Sequence, residues 1–337
     1  MLTVKKLRRK PKHFHNFTGL TPKQFDELLT AVEPIYELAE EERLSNPNRL
    51  RARGAGRNFN LELPERLLMS LMYFRLYITQ TLLGYLFELD SSNVNREING
   101  RMLGVLSEVL PVPAQDEPLL DLALAANGGG GDGGKSKKRR GKKISTLKEL
   151  LEKHPEFKEI LIDATEQEMP KPKDKNRRKE YYSGKQKRHT AKMQVLSTTK
   201  EKKKLVLHLC RHVAGKVHDR MLLRATGVMR KIPKKGGGEE GVVVRVDKAY
   251  EGIEEEYPEV RVEKPRKARR GHPLTVIEKI YNRAMSKLRI PVEHVIGHLK
   301  KFRMLAGVYR GEMERYDENV LVIAGLHNYK ELGRLRW

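Results

Sequence analysis

The sequence predicts an all-α unit followed by an α/β domain built on an open mixed sheet. Three observations carry this reading. Up to residue 110 apolar residues recur at helical spacing, and beyond residue 145 short apolar runs of strand type alternate with helical stretches. Between them lies a tract with six glycines in 128–134 and seven lysines and arginines in 135–143, with no apolar residue to pack. Such a composition reads as a flexible linker. The expected division is a basic arm over 1–20, a helical domain over 21–110, a linker over 111–144, an α/β domain over 145–310, and a helical segment over 311–337 packing on the α/β domain.

In the helical part, Thr21 is placed to cap a helix with Pro22 at its first position. Phe25, Leu28, Leu29 and Val32 then form one apolar face, and Pro34 is expected to end or kink the segment. The glycine-containing basic stretch 51–57 reads equally as a phosphate cradle and as a solvated turn. Pro64 opens the next helix, a short one covers about 79–87, and Asp90 precedes one running through Val94, Ile98, Met102 and Val105. Two helices joined by a tight turn match a helix-turn-helix, in which the second helix offers its N-terminal residues to the major groove. On that reading Ser91, Ser92, Asn93, Asn95 and Arg96 face the duplex. An ordinary helical hairpin with a polar rim fits the same pattern.

In the second part, a short helix begins near Ser145 and strands are expected over 159–165, 190–197, 205–210, 242–246 and, more weakly, 260–263. The stretch "KVHDRMLLRAT" reads as helical with Met221 and Leu222 inward. From about 275 to 305 the chain is mainly helical, bent or interrupted near Pro291, and "NVLVIAGLHNYKEL" gives a last apolar helix.

The net charge of +24 sets the class of partner. A positive excess of this size attracts polyanions and makes binding salt-dependent through counterion release, so nucleic acid is the expected partner. The single cysteine, Cys210, excludes a disulfide framework and a cysteine-rich zinc site and fits a reducing cytoplasm. No apolar run approaches the roughly 20 residues that cross a bilayer, so no membrane partner is expected.

Two of the apolar strand runs end in an acid: "ILID" in Asp163 and "VVVRVD" in Asp247. A third acid, Glu293, lies in the helical tract near Pro291. In open α/β sheets ligands bind outside the carboxyl ends of strands, where both aspartates fall. A single acid after a strand is usually a turn former or a helix cap, whereas convergence of all three would form a site for divalent metal. The chemistry would then be two-metal phosphoryl transfer, with Asp163 shared between two ions and Asp247 and Glu293 each completing one shell. Oxygen ligands favour Mg²⁺, with Mn²⁺ a substitute. Asp219 in "VHD" competes with Asp247 for the second position.

The ordered blocks "RARGAGRNFNLELPERLLMSLMYFRLYITQTLLGYLFELDSSNVNREI", "LIDATEQEM", "YYSGKQKRHTAKMQVL", "GKVHDRMLLR", "VDKAYEGI" and "YNRAMSKLRIPVEHVIGHLKKF" resemble bacterial insertion-sequence transposases of the DDE type. These have an N-terminal helix-turn-helix and a ribonuclease-H-like catalytic domain. The resemblance implies a three-carboxylate site at Asp163, Asp247 and Glu293, with the first acid on the first strand, the second after the fourth, and the glutamate on a helix beyond the fifth. It also implies that Arg289 and Lys300 contact the transposon end or the scissile phosphate. Ser286 stands where one related branch has a tyrosine, and Ala249 where a glycine is common.

His189, His218 and Asp219 match further blocks and are accessory candidates; a helix-cap role for Asp219 fits as well. His294 and His298 share a helix face without the intervening glutamate of the zinc-protease pattern. The basic tract 171–192 is expected to bind phosphate, and Tyr181 and Tyr182 either pack in the core or stack on an unpaired base. The resulting expectation is a cytoplasmic, nucleoid-associated DNA transposase that binds double-stranded transposon ends and target, acts as a homo-oligomer and uses two Mg²⁺ ions per site. The alternatives are a domesticated endonuclease of the same fold and a non-catalytic DNA-binding protein.

Overall fold

The computed structural model describes residues 1–45, 61–115, 144, 146–234 and 241–337. The basic loop 51–57, Ser145 and all but the ends of the 111–144 linker lie outside the described residues. The chain forms two compact units. One comprises Met1–Val112, Lys300–Gly307 and Gly311–Trp337, the other Pro113–Leu299 and Val308–Arg310.

The first unit is helical from its start. Helices α1 (Val4–Arg8) and α2 (Pro11–Thr18) occupy the stretch expected to be an arm. Val4, Leu7, Phe14 and Leu20 are buried among the lysines, and that apolar area fixes two helices which charge alone would leave solvated. Helix α3 (Pro22–Leu44) begins at a capping box: the Thr21 hydroxyl accepts from the Gln24 N–H, and the Gln24 side chain accepts from the Thr21 N–H. It runs through Pro34 rather than ending there. Val32 and Tyr36, buried on either side of the proline, hold both halves, so one lost backbone bond is tolerated.

Helices α4 (Leu63–Leu76), α5 (Gln80–Phe87) and α6 (Ser91–Glu97) follow, and α6 passes through a π-helical turn, Ile98–Met102, into α7 (Leu103–Val109). The Leu103 N–H bonds the Ile98 carbonyl, and the widened turn keeps Val94, Ile98, Met102 and Val105 all buried. The corner between α5 and α6 is tight. Glu88 takes a left-handed conformation (φ 56°), and the Leu89 N–H bonds the Gly84 carbonyl at 2.9 Å. A Cβ at Gly84 would overlap the Leu89 carbonyl oxygen, so the glycine is what lets the corner close.

The second unit contains α8 (Leu147–Lys153), β1 (Glu159–Glu168), α9 (Lys175–Tyr181), β2 (Tyr182–Ser183), β3 (Arg188–Lys200), β4 (Lys203–Leu209), β5 (Val213–Ala214), α10 (Asp219–Thr226), β6 (Val243–Arg245), α11 (Ile253–Glu256), β7 (Arg261–Glu263) and α12 (Val276–Lys300), of which Lys300 alone falls in the first unit. Thr146 caps α8. The seven-stranded sheet runs β2-β3-β1-β6-β7, with β4 and β5 also paired to β3. β1 is antiparallel to β3 and β3 to β4, whereas β6 is parallel to β1 and β7 to β6. Strands β4, β3, β1, β6 and β7 therefore form a mixed sheet of ribonuclease-H type, as the fold class requires. Arg245 ties its parallel half together by ion pairs to Glu159 and Glu263.

Three local expectations change. Met221 is 54% exposed, while Leu222 and Leu223 fill the core. α12 continues through Pro291 without interruption. The terminal helices α13 (Arg303–Ala306) and α14 (Tyr316–Leu332) cluster with the helical unit, not with the α/β domain expected to receive the 311–337 segment. In α14 every residue from Asn319 to Tyr329 is buried, so its apolar pattern carried no direction from which to read a partner. Polar contacts fix it: Asn328 donates to the Pro111 carbonyl at 3.0 Å, Tyr329 to the Gln24 carbonyl at 2.9 Å, and Trp337 beyond the helix to the Val112 carbonyl at 2.9 Å.

Candidate active site

The site begins with strand register. β1 and β6 pair in parallel with Glu159 opposite Val243, Ile160 opposite Val244 and Leu161 opposite Arg245. The ladder ends there; carried on at the same offset, it would set Asp163 opposite Asp247, two residues past the last paired positions. A parallel ladder places equivalent positions side by side at neighbouring strand spacing. The two acids are thus brought together by backbone pairing, although 83 residues separate them in the chain.

Each carboxylate is held by the backbone that follows it. One Asp163 oxygen accepts from the Ala164 N–H at 2.8 Å, and one Asp247 oxygen from the Lys248 N–H at 2.7 Å. The Asp247 carbonyl also accepts from the Tyr250 N–H at 3.0 Å, closing the turn after β6. Arg289 on α12 links the pair. Its Nη1 donates to Asp247 Oδ1 at 3.1 Å, and its Nη2 lies 3.5 Å from Asp163 Oδ2, a charge contact more than a hydrogen bond. The Arg289 side chain is 12% exposed, Asp163 25% and Asp247 38%. Burial pushes the Asp163 carboxyl above its ordinary pKa; the Ala164 N–H and Arg289 oppose the rise, while the like charges of Asp247 and Asp219 add to it.

Glu293 stands four residues after Arg289 on α12, and residues so spaced share one helix face. It is exposed, and the helix is anchored around it by buried Val292 and Val295. His294 is exposed, with its Nδ1 2.6 Å from Lys204 Nζ. Lys300, also exposed, ends the helix and is counted with the helical unit.

A second charged cluster lies along β1 and β3. Lys192, opposite Glu166 in the ladder, is buried; its Nζ donates to Asp219 Oδ1 at 2.9 Å and to the Val217 carbonyl at 2.6 Å, and lies 3.4 Å from Glu166. The Thr190 hydroxyl donates to Glu166 at 2.7 Å. This corrects the assignment of Lys192 to the phosphate-binding tract: its ammonium is spent on internal carboxylates. Sequence reasoning missed it because one lysine among many basic residues carries no sign of facing inward. The one available signal was its place between the apolar residues of "TAKMQVL".

The accessory candidates separate. Asp219 is the first residue of α10, and His218 is the cap, its Nδ1 accepting from the Arg220 N–H at 3.3 Å. Asp219 is near enough to Asp163 to raise its pKa. His189 stacks edge-on with Tyr182 at 5.6 Å between ring centres. Tyr182 is exposed rather than packed in the core. In the helical unit Ser91, Ser92, Asn93, Asn95 and Arg96 are all exposed on the first turns of α6, and Arg96 donates to Asn93 at 3.0 Å.

Two carboxylates, one on a strand and one just past the end of its parallel neighbour, are bridged by an arginine on the helix beyond the last strand of a ribonuclease-H-like sheet, and that helix also carries Glu293. Two family models match the chain: the DDE superfamily endonuclease over residues 162–328 and the helix-turn-helix of DDE superfamily endonuclease over residues 59–108. The chain is also similar to a probable transposase for insertion sequence element IS702 from Microchaete diplosiphon, 33% identical over 185 residues that make up 54% of this chain. The match spans 61% of that relative's length. No solved structure matches the chain significantly. The chain belongs to the family of DDE-type insertion-sequence transposases with an N-terminal helix-turn-helix. Among the described residues, no helix is long and apolar enough to cross a membrane.

Proposed function

We propose that the protein is a DNA transposase that binds insertion-sequence ends through its helix-turn-helix and cuts and joins DNA at Asp163, Asp247 and Glu293. The observation that carries this reading is the register-matched pair Asp163 and Asp247, joined by Arg289 one helical turn before Glu293. The donor set fits a divalent cation. It is made only of carboxylate oxygens, and the half-buried Asp163 carboxylate is poorly solvated by water, which raises its pKa.

Asp163, Asp247 and Glu293 would hold Mg²⁺, or Mn²⁺ in its place, as two ions. Bound there, the metal supplies an activated oxygen nucleophile and stabilises charge on the leaving oxygen. The chain's own residues do the rest. The Ala164 and Lys248 N–H groups fix the aspartate rotamers, and the parallel ladder brings β1 and the end of β6 side by side just before them. Glu293 would join them from α12, a helix anchored by the buried Val292 and Val295. No side chain need attack phosphorus, so water and a DNA 3′-hydroxyl can serve in turn as nucleophile at the same acids. Ser91, Ser92, Asn93, Asn95 and Arg96 would read the end in the major groove, while Lys300 and the wider basic surface engage phosphate. Pairing two ends would take a homo-oligomer on double-stranded DNA.

The test is cleavage of candidate end DNA with Mg²⁺ by wild type, Asp163→Asn, Asp247→Asn and Glu293→Gln. Each variant should lose cleavage while retaining most end binding; full activity in any one would remove that acid from the site. A pre-cut end that yields joined product in wild type identifies a transposase, and cleavage without joining identifies an endonuclease.

A further inference from the structure

The guanidinium of Arg289 sits where a cation between the two aspartates belongs. Asp163 gives one oxygen to the Ala164 N–H and turns the other, Oδ2, toward Arg289; Asp247 Oδ1 receives Arg289 at 3.1 Å. A divalent ion held by both aspartates would compete with the arginine for Asp163 Oδ2 directly, and for the charge of Asp247, whose Oδ1 accepts from both Arg289 and the Lys248 N–H. Two positive groups cannot share those oxygens without strong repulsion. The arginine's hold is incomplete: its Nε is buried without a hydrogen-bond partner, and the Asp163 contact is long. A buried donor left unpaired is destabilising, so moving the guanidinium into water recovers part of that loss.

We propose that Arg289 is an exchangeable counterion of the acid pair. Without metal it neutralises Asp163 and Asp247 and holds them together; metal entry expels it, and the freed guanidinium becomes available to a DNA phosphate. This rests on the metal-site reading above and adds to it a coupling: the residue that closes the site without metal is the one that engages the substrate once metal is in. A planar fork of donors suits both partners, since it matches carboxylate and phosphate alike. Position 289 is also suited to the exchange, because a long side chain one turn from Glu293 leaves the acids by rotamer change without moving the helix.

The experiment is a Mn²⁺ titration of the full-length protein without DNA, following free Mn²⁺ by electron paramagnetic resonance. It compares wild type with Arg289→Ala, Arg289→Gln, Arg289→Lys and Asp163→Asn. Removing the competing cation should tighten Mn²⁺ binding about tenfold in Arg289→Ala and Arg289→Gln, with Arg289→Lys between them and wild type. Melting in EDTA should be lowered by Arg289→Ala, and Mn²⁺ should raise the melting temperature of that variant more than that of wild type. If Arg289→Ala and Arg289→Gln, both folded by circular dichroism, bind Mn²⁺ no more tightly than wild type while Asp163→Asn loses binding, the exchange is wrong and the metal site stands. If Mn²⁺ binding is unchanged in Asp163→Asn, the metal-site reading falls and the exchange falls with it.

Discussion

Lys192 reaches Asp219 at 2.9 Å from the strand position directly opposite Glu166, so one buried ammonium pins the start of α10 to the central sheet. Glu166 depends on it most, for Glu166 and Lys192 are each only 9% exposed at the side chain, whereas Asp219 is 27% exposed. Removing one partner of a buried ion pair leaves the other charged and unpaired, at a cost of about 3–5 kcal/mol. Lys192→Met should therefore lower unfolding stability by about that amount in urea titrations. Adding Glu166→Gln should restore part of the loss, because one of the stranded charges is then gone. Additive losses in the double variant would show that the two do not act as a pair.

The raised pKa of Asp163 gives the apo protein a pH dependence of definite sign. A carboxyl whose folded pKa lies above its unfolded value, about 3.9, binds its proton more tightly when folded. Its contribution is fully present below that unfolded value and is lost as pH rises through the folded pKa. In EDTA, Asp163→Asn should gain stability relative to wild type on going from pH 3 to pH 7, by about 1.4 kcal/mol for each unit by which the pKa is raised. Urea unfolding at both pH values checks this. A difference that is flat with pH would mean that Arg289 and the Ala164 N–H fully offset burial.

How much of this was legible in the chain depends on which forces leave a local trace. Asp163 and Asp247 stand out because each ends an apolar strand run, and Glu293 falls in a stretch that reads as helical. Their pairing is different. The register that sets Asp163 beside Asp247 is a property of two distant segments, and no local pattern encodes it. Lys192 was hidden for another reason, since its inward direction depends on Glu166 and Asp219 arriving from elsewhere. Neither Pro34 nor Pro291 ends its helix, because packing on both sides outweighs the local propensity of each proline.

Arg96 lies exposed on α6, so its role should show in DNA binding and not in folding. Arg96→Ala should leave the melting temperature unchanged and weaken binding to the cognate end by about 1–3 kcal/mol if it reads a base edge. Discrimination against a scrambled end should fall by the same amount. If it contacts phosphate instead, binding to both DNAs should weaken together and the salt slope should drop by about one. Fluorescence anisotropy at several salt concentrations separates the two outcomes.

Gly84 offers a test of the helix-turn-helix by geometry alone. A methyl group there would overlap the Leu89 carbonyl, whose own residue donates back to Gly84 through its N–H at 2.9 Å. In a free helix, alanine for glycine would stabilise by about 1 kcal/mol. Here overpacking against backbone should reverse the sign, and Gly84→Ala should destabilise the helical unit by about 1–3 kcal/mol. It should also weaken end binding, since the α5–α6 corner sets the direction of Ser91, Asn93 and Arg96. Mn²⁺ binding at the acids of the other unit should be unaffected. A Gly84→Ala protein that melts higher than wild type and binds ends equally well would show that the corner has room the carbonyl contact denies.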